Sequence, residues 1–185
     1  MIILFGPAGA GKSMQGYMLA ARFGWRWLSA GQLLRETRDP DLMESMRKGE
    51  FVDDDQIRSV MGEAIKNADN VEHLILDGFP RQIQQAEWLL DSEEYFDREI
   101  QVVIVLDVSR EVIEKRLAIR GRADDTADSI DKRLALFSEE TSPILDFFKQ
   151  SDVIVKHVNG EGTIGQVHDA ILSALEEEMV FSAKD

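Results

Sequence analysis

Residues Gly6-Pro7-Ala8-Gly9-Ala10-Gly11-Lys12-Ser13 are where residue type and spacing most directly permit chemistry. The apolar run Met1–Phe5 precedes them, and Met14, Tyr17, Met18 and Ala21 follow at helical spacing. Strand, glycine-rich turn, lysine, hydroxyl and helix in this order make a cradle for phosphate groups. The glycines let the backbone turn tightly with its N–H groups facing inward. The helix N-terminus turns its positive end to the same anion. Lys12 adds a compact ammonium charge, and Ser13 a hydroxyl that can ligate magnesium, an oxygen-seeking ion.

A second chemical feature is the buried-strand pattern His73-Leu74-Ile75-Leu76 ending in Asp77. An acid at the end of a strand beside such a loop can hold magnesium directly or through water. The third is a set of arginines. Arg35 sits in a helical block and Arg81 just after Asp77; Arg116 and Arg120 share a helix face; Arg122 follows and Arg133 lies on the next helix. Four of the six fall near the ends of strand–helix crossovers, where open α/β sheets bind ligands. Fixed positive groups around developing negative charge are what phosphoryl transfer requires. His73, His157 and His168 are scattered and read as structural, and no nucleophile–base triad is in evidence.

The elements that must position these groups follow from apolar periodicity. Strands are predicted at Met1–Phe5, Trp25–Leu28, His73–Leu76, Gln101–Asp107 and Val153–Val158, alternating with helices in the manner of a covered parallel sheet. The helix after the loop should stop at Gly24. Ser29 to Asn67 reads as a strand-free helical block, broken at Asp39-Pro40-Asp41 and at Gly49. Ser29, Ser109 and Asp125 are candidate N-caps, as is one of Asp53, Asp54 and Asp55. Pro143 should kink the long helix after Asp125 or open a new segment. A final helix should run from about Thr163 to Glu177, with a fraying acidic tail to Asp185. Trp25 and Trp27 read as core packing rather than a stacking platform.

The chain has 185 residues, enough for one domain with a substantial core. It has no cysteine, which excludes disulfides and thiolate zinc sites. A net charge of −14 argues against nucleic-acid or anionic-membrane partners, so any positive charge for a polyphosphate must be gathered locally. No stretch approaches a membrane span and the first apolar run is short for a leader. A cytoplasmic protein is expected.

In order along the chain, Gly6–Ser13, Ser29-Ala30-Gly31-Gln32-Leu33-Leu34-Arg35, Gly49-Glu50-Phe51-Val52, Asp77-Gly78-Phe79-Pro80-Arg81 with Gln85, Arg116 and Arg120, Gly121-Arg122-Ala123-Asp124-Asp125, and Arg133 form one set of motifs. The sequence thereby resembles the nucleoside monophosphate kinases, the adenylate kinase and UMP/CMP kinase family, from Met1 to about Leu175. The resemblance implies a three-layer α/β P-loop NTPase sandwich on a five-stranded parallel sheet, with a helical acceptor-binding insertion at about residues 30–58 and a very short lid at about 120–126. It implies reversible transfer of the ATP γ-phosphoryl group to a nucleoside monophosphate, with magnesium, by a monomer.

Carried over by position, the donor side comprises Gly6, Ala8, Gly9, Ala10, Gly11, Lys12, Ser13 and Met14, with Arg116 near the donor adenine. Arg35 and Arg81 would grip the acceptor phosphate, and Ala30, Gly31, Val52, Gly78 and Gln85 would line the acceptor side. Lys12, Arg81, Arg120, Arg122 and Arg133 would surround the transferring group, with Ser13 and Asp77 at the metal.

The departures are at the loop's end and in the base pocket. Ser13-Met14-Gln15 stands where the family usually has Gly-Thr-Gln, so Met14 removes one hydroxyl and Ser13 adds another. Ala30 matches UMP/CMP kinases, whereas Gln85 matches adenylate kinases; its amide suits adenine, and AMP is the favoured acceptor. UMP or CMP remains an alternative, as does a nucleotide-binding assembly or regulatory module with weak kinase or ATPase activity. A short lid excludes water less completely, so some ATP hydrolysis is expected.

Overall fold

A computed structural model describes residues 1–50, 52–68, 71–122 and 125–178. Phe51, Ala123 and Asp124 of the motifs, and the tail from Met179, lie outside the described residues. Strand β1 (Ile2–Phe5) leads through the glycine loop into α1 (Lys12–Phe23), then β2 (Arg26–Ser29). Three helices follow: α2 (Ala30–Glu36), α3 (Pro40–Lys48) and α4 (Asp54–Lys66). Next come β3 (Leu74–Asp77), α5 (Ile83–Asp91), α6 (Glu93–Phe96), β4 (Val102–Asp107) and α7 (Arg110–Arg120). Helix α8 (Ala127–Gln150), β5 (Ile154–Asn159) and α9 (Ile164–Glu177) complete the order.

The strands pair in the order β2-β3-β1-β4-β5, and every pairing is parallel. Their carboxyl ends therefore share one edge. In register there, Leu4 lies opposite Asp77 and Asp77 opposite Ser29. β1 is flanked by β3 and β4, so the chain leaves it in opposite directions around a crevice, the place where open sheets take ligands. The glycine loop opens at that crevice.

Strand alternation divides the core. Ile2, Leu4, Ile75, Ile104 and Leu106 pack with Leu19 of α1 and Val167, Ile171 and Leu175 of α9. Ile3, Phe5, Leu74, Leu76, Val103 and Val105 pack with Ile57 and Met61 of α4, Leu89 of α5, and Ile144 and Phe148 of α8. Helices on both faces of one parallel sheet give three layers, as the alternation in the sequence requires.

Helix ends show where short-range chemistry rules. Gly24 and Gly49 close α1 and α3 in the left-handed conformation. Asp39 accepts N–H bonds from Asp41 and Leu42 with Pro40 in the first turn, and Asp53 does the same for Asp55 and Gln56. Thr163 and Gln166 form a reciprocal capping box on α9. Three expected caps differ. Ser29 and Ser109 make no side-chain cap bond. Thr126, not Asp125, caps α8 by accepting from Ser129 N–H, because the Asp125 carboxylate is taken by arginines. No new segment opens at Pro143: α8 runs through it to Gln150. The sequence does not predict the short helix α6, since four residues carry too little periodicity to register.

The tryptophans pack as structural groups. Trp25 is buried, stacked against Phe23 and edge-on to His73. Trp27 lies across Gly16, where an added Cβ would stand 2.5 Å from the indole Cδ1. Helix α1, which carries Lys12 and Ser13, is seated on β2 by this close approach. Gly16→Ala should therefore destabilise the fold by about 1–2 kcal/mol, overpacking outweighing the roughly 1 kcal/mol that alanine normally gains in a helix. Urea unfolding checks this, and a rise in midpoint would refute it.

Candidate active site

Every residue assigned to donor, acceptor, metal or transfer on sequence grounds lines one cavity of about 600 Å³ at the carboxyl edge of the sheet. The glycine loop is its floor. Lys12 arches back over the loop and donates to the carbonyls of Gly6 at 2.6 Å and Pro7 at 2.9 Å. Ser13 Oγ donates to Asp77 Oδ2 at 2.6 Å. Both come from sites the fold fixes: the first turn of α1, and the end of β3, where Asp77 is buried. Met14, one residue on, is half exposed. Arg116 donates to Ala10 O at 3.1 Å and Gly160 O at 2.8 Å, tying the loop to the β5–α9 connection.

Beyond β3, Arg81 Nε donates to Gly78 O at 2.8 Å, and the Arg81 backbone N–H donates to Gln85 Oε1 at 2.8 Å. Ala30, Gly31 and Arg35 come from α2, the helix that begins where β2 ends, and Val52 from the stretch before α4. The helical block carrying them rests on α8. Arg133 donates to Met46 O at 3.1 Å, and Lys132 pairs with Glu50 at 2.9 Å. Gly49, at φ +71°, is so close to α8 that an added Cβ would lie 2.9 Å from Ser129 O.

The arginines on the other wall converge on Asp125. Its side chain is almost wholly buried, paired with Arg120, and 3.4 Å from Arg133 Nη1. It also accepts from Arg122 N–H at 3.2 Å. Burial alone would push the carboxyl up, but the Arg120 hydrogen bond and charge, the Arg122 amide and the Arg133 charge hold it below the usual aspartate range. This role is invisible to cap-spotting. The available signal was that Asp125 follows Arg120 and Arg122 closely and precedes Arg133.

Positive groups crowd the cavity centre. Burial pushes the Lys12 ammonium down; Asp77 opposes this, and Arg81 and Arg120 add to it, giving a pKa of about 8. The Arg81 guanidinium is lowered by burial, supported by Asp77, and repelled by Arg133 and Arg35. Such a concentration of cations in a chain of net charge −14 is suited to a polyphosphate. The three histidines do not line the cavity: His73 packs on Trp25, His157 faces Asp107, and His168 faces Gln15. Among the described residues no three acids, histidines or cysteines cluster as a metal cage.

The adenylate kinase family model matches residues 4–153. The adenylate kinase of Prochlorococcus marinus (strain MIT 9211) is 37% identical over 180 residues, spanning 94% of this chain and 96% of its own. That of Mycobacterium tuberculosis (strain ATCC 25618 / H37Rv) is 34% identical over 180 residues, spanning 94% and 98%.

The chain belongs to the adenylate kinase family.

At the loop's end, Ser13 bonds Asp77 directly and Met14 is half exposed. The cavity geometry has two measurable consequences. Asp125→Ala releases Arg120 and Arg133 from a common anchor, so kcat should fall about a hundredfold with a smaller change in KM, since small displacements of charge-positioning groups carry that penalty. Steady-state kinetics test this, and an unchanged kcat would contradict the anchor. The second concerns Lys12. Its charged form is the one that attracts a polyphosphate, so affinity should be full below pH 8 and fall as pH rises through it, and binding above that pH should take up a proton. Calorimetric titration with metal-free ADP, in buffers of differing ionisation enthalpy, tests this; heats independent of buffer above pH 8 would contradict it.

Proposed function

We propose that the protein catalyses reversible transfer of the γ-phosphoryl group of ATP to AMP, yielding two ADP. What carries this reading is the convergence of Lys12, Arg35, Arg81, Arg120, Arg122 and Arg133 on one cavity that runs from the glycine loop to the helical block. The names of the adenylate kinase relatives support the acceptor, and they do not favour the UMP/CMP kinase or assembly-module alternatives.

In this reading the donor phosphates lie on the loop from Gly6 to Ser13, under Lys12, with the donor base beside Arg116. Residues 30–58 are the acceptor-binding subdomain. Arg35 and Arg81 hold the AMP phosphate there, and Gly31, Val52 and Gln85 border its base. Residues 120–126 are the short lid. An acceptor phosphate oxygen attacks the γ-phosphorus as the bond to the β–γ bridging oxygen breaks, and ADP leaves with that oxygen. Charge spreads over the equatorial oxygens of the transferring group, where Lys12, Arg120, Arg122 and Arg133 stabilise it. No covalent intermediate on the protein is required.

Magnesium fits the donor set present. The Ser13 hydroxyl and the Asp77 carboxylate offer two oxygens 2.6 Å apart, and magnesium keeps most of its remaining positions for water and phosphate. Ser13 and Asp77 would hold it, and it would supply charge neutralisation between the donor phosphates. The reading takes the enzyme as a cytoplasmic monomer acting on free nucleotides, without nucleic-acid or membrane partners. None of the described helices is long and apolar enough to cross a membrane.

The test is diphosphate formation from magnesium-ATP with AMP, CMP, UMP, GMP or no acceptor. AMP should be used fastest, and the arm without acceptor should release phosphate slowly. Lys12→Ala and Arg81→Ala should each lower turnover by at least about a hundredfold, the scale of losing one charge-stabilising group. Faster use of a pyrimidine monophosphate would overturn the acceptor, and ATP binding without diphosphate product would overturn the activity.

A further inference from the structure

Gln85 is buried in the cavity wall, and its amide is held from two sides. The Arg81 backbone N–H can only donate, so the atom facing it at 2.8 Å must be Oε1. Nε2 then points the other way and donates to Gln82 Oε1 at 3.3 Å. Gln82 is placed for this by its backbone. It is the extended residue before α5, its own carbonyl accepts from the N–H groups of Gln85 and Ala86, and its side chain makes no cap bond. A primary amide has two N–H groups and two oxygen lone pairs. With one of each engaged, one N–H and one lone pair remain, in fixed order. Turning the amide over would break both bonds and set Nε2 against the Arg81 N–H.

We propose that Gln82 is a positioning residue for acceptor selection, locking the Gln85 amide in the orientation that matches a ring acceptor beside an exocyclic amine. Adenine presents that pair at N1 and N6, and cytosine at N3 and N4. Guanine and uracil present the reverse, a ring N–H beside a carbonyl, and leave donor facing donor. The lock therefore separates amino bases from oxo bases, while pocket size separates purine from pyrimidine. This rests on the reading of Gln85 as a border of the acceptor base.

The test is acceptor selectivity in Gln82→Ala, Gln82→Leu and Gln82→Glu. Removing the acceptor at residue 82 leaves only the Arg81 N–H to oppose the turned amide. The kcat/KM ratios AMP:GMP and CMP:UMP should each fall about threefold to tenfold in the alanine and leucine variants, the value of one ordinary hydrogen bond. The AMP:CMP ratio should hold, because both bases read the same order. Gln82→Glu should restore both ratios, since a carboxylate accepts the same N–H; a residue that merely packed would show no such rescue. Leucine keeps the volume, so the leucine–glutamate comparison decides the matter if the alanine variant does not fold. Unchanged AMP:GMP and CMP:UMP ratios in a folded leucine variant, or a glutamate variant that behaves like leucine, would overturn the proposal. Wild-type protein that prefers UMP or GMP would overturn the lock as well. Wild-type protein that prefers CMP would instead overturn the AMP assignment, with the lock still decided by CMP:UMP.

Discussion

The structure depends on holding like charges together. Lys12, Arg81, Arg120 and Arg133 are close enough to depress one another's protonation or compete for the same carboxylates. Left alone, such a group would splay into solvent. Two buried acids prevent it. The charge of Asp77 favours the protonated forms of Lys12 and Arg81, and Asp125 gathers Arg120 and Arg133. Neither neutralises the cavity. Asp125 directs the guanidinium groups of Arg120 and Arg133, and the carbonyls of Gly6, Pro7 and Gly78 direct Lys12 and Arg81. Net positive potential is left for a phosphate chain, and fixed charge of this kind needs no rearrangement when the charge of a reaction develops.

The sheet supplies the scaffold for both acids in different ways. Asp77 is the last residue of β3, in register with Leu4 and Ser29, so its position is as rigid as the strand ladder. Asp125 has no strand beneath it. It stands just before α8, whose first turns also carry Ser129, Lys132 and Arg133. Those residues meet Gly49, Glu50 and Met46, so α8 is at once the wall of the arginine cluster and the seat of the helical block.

Much of this was legible in the residues. Strand runs such as Val102–Asp107 are apolar on both faces and bounded by polar residues, so their place in a covered parallel sheet follows from pattern alone. The glycine loop, Asp77 and the arginines were picked out by type and position, and all line the same cavity. What the sequence concealed was partnership. Asp125 has the composition of a helix cap, and nothing local distinguishes it from Thr126, the residue that performs that task. Its carboxylate is claimed by Arg120 at the end of α7 and by Arg133 on α8, and that joint claim is settled only when α7 and α8 meet. Likewise Gln82 reads as an ordinary helix-start residue until the Arg81 amide fixes which way Gln85 faces. Spacing predicts elements; competition between several candidate partners for one polar atom is decided by packing.

Arg133 carries a consequence of its own. One arm of its guanidinium reaches the Asp125 carboxylate and the other the carbonyl of Met46 at the end of α3. These two acceptors belong to opposite banks of the cavity. A single rigid, planar group spans them, so the gap between the banks is measured against a fixed molecular ruler. The banks cannot part without one end of that ruler letting go, and the charge at the centre of the cavity then swings with whichever bank keeps its grip.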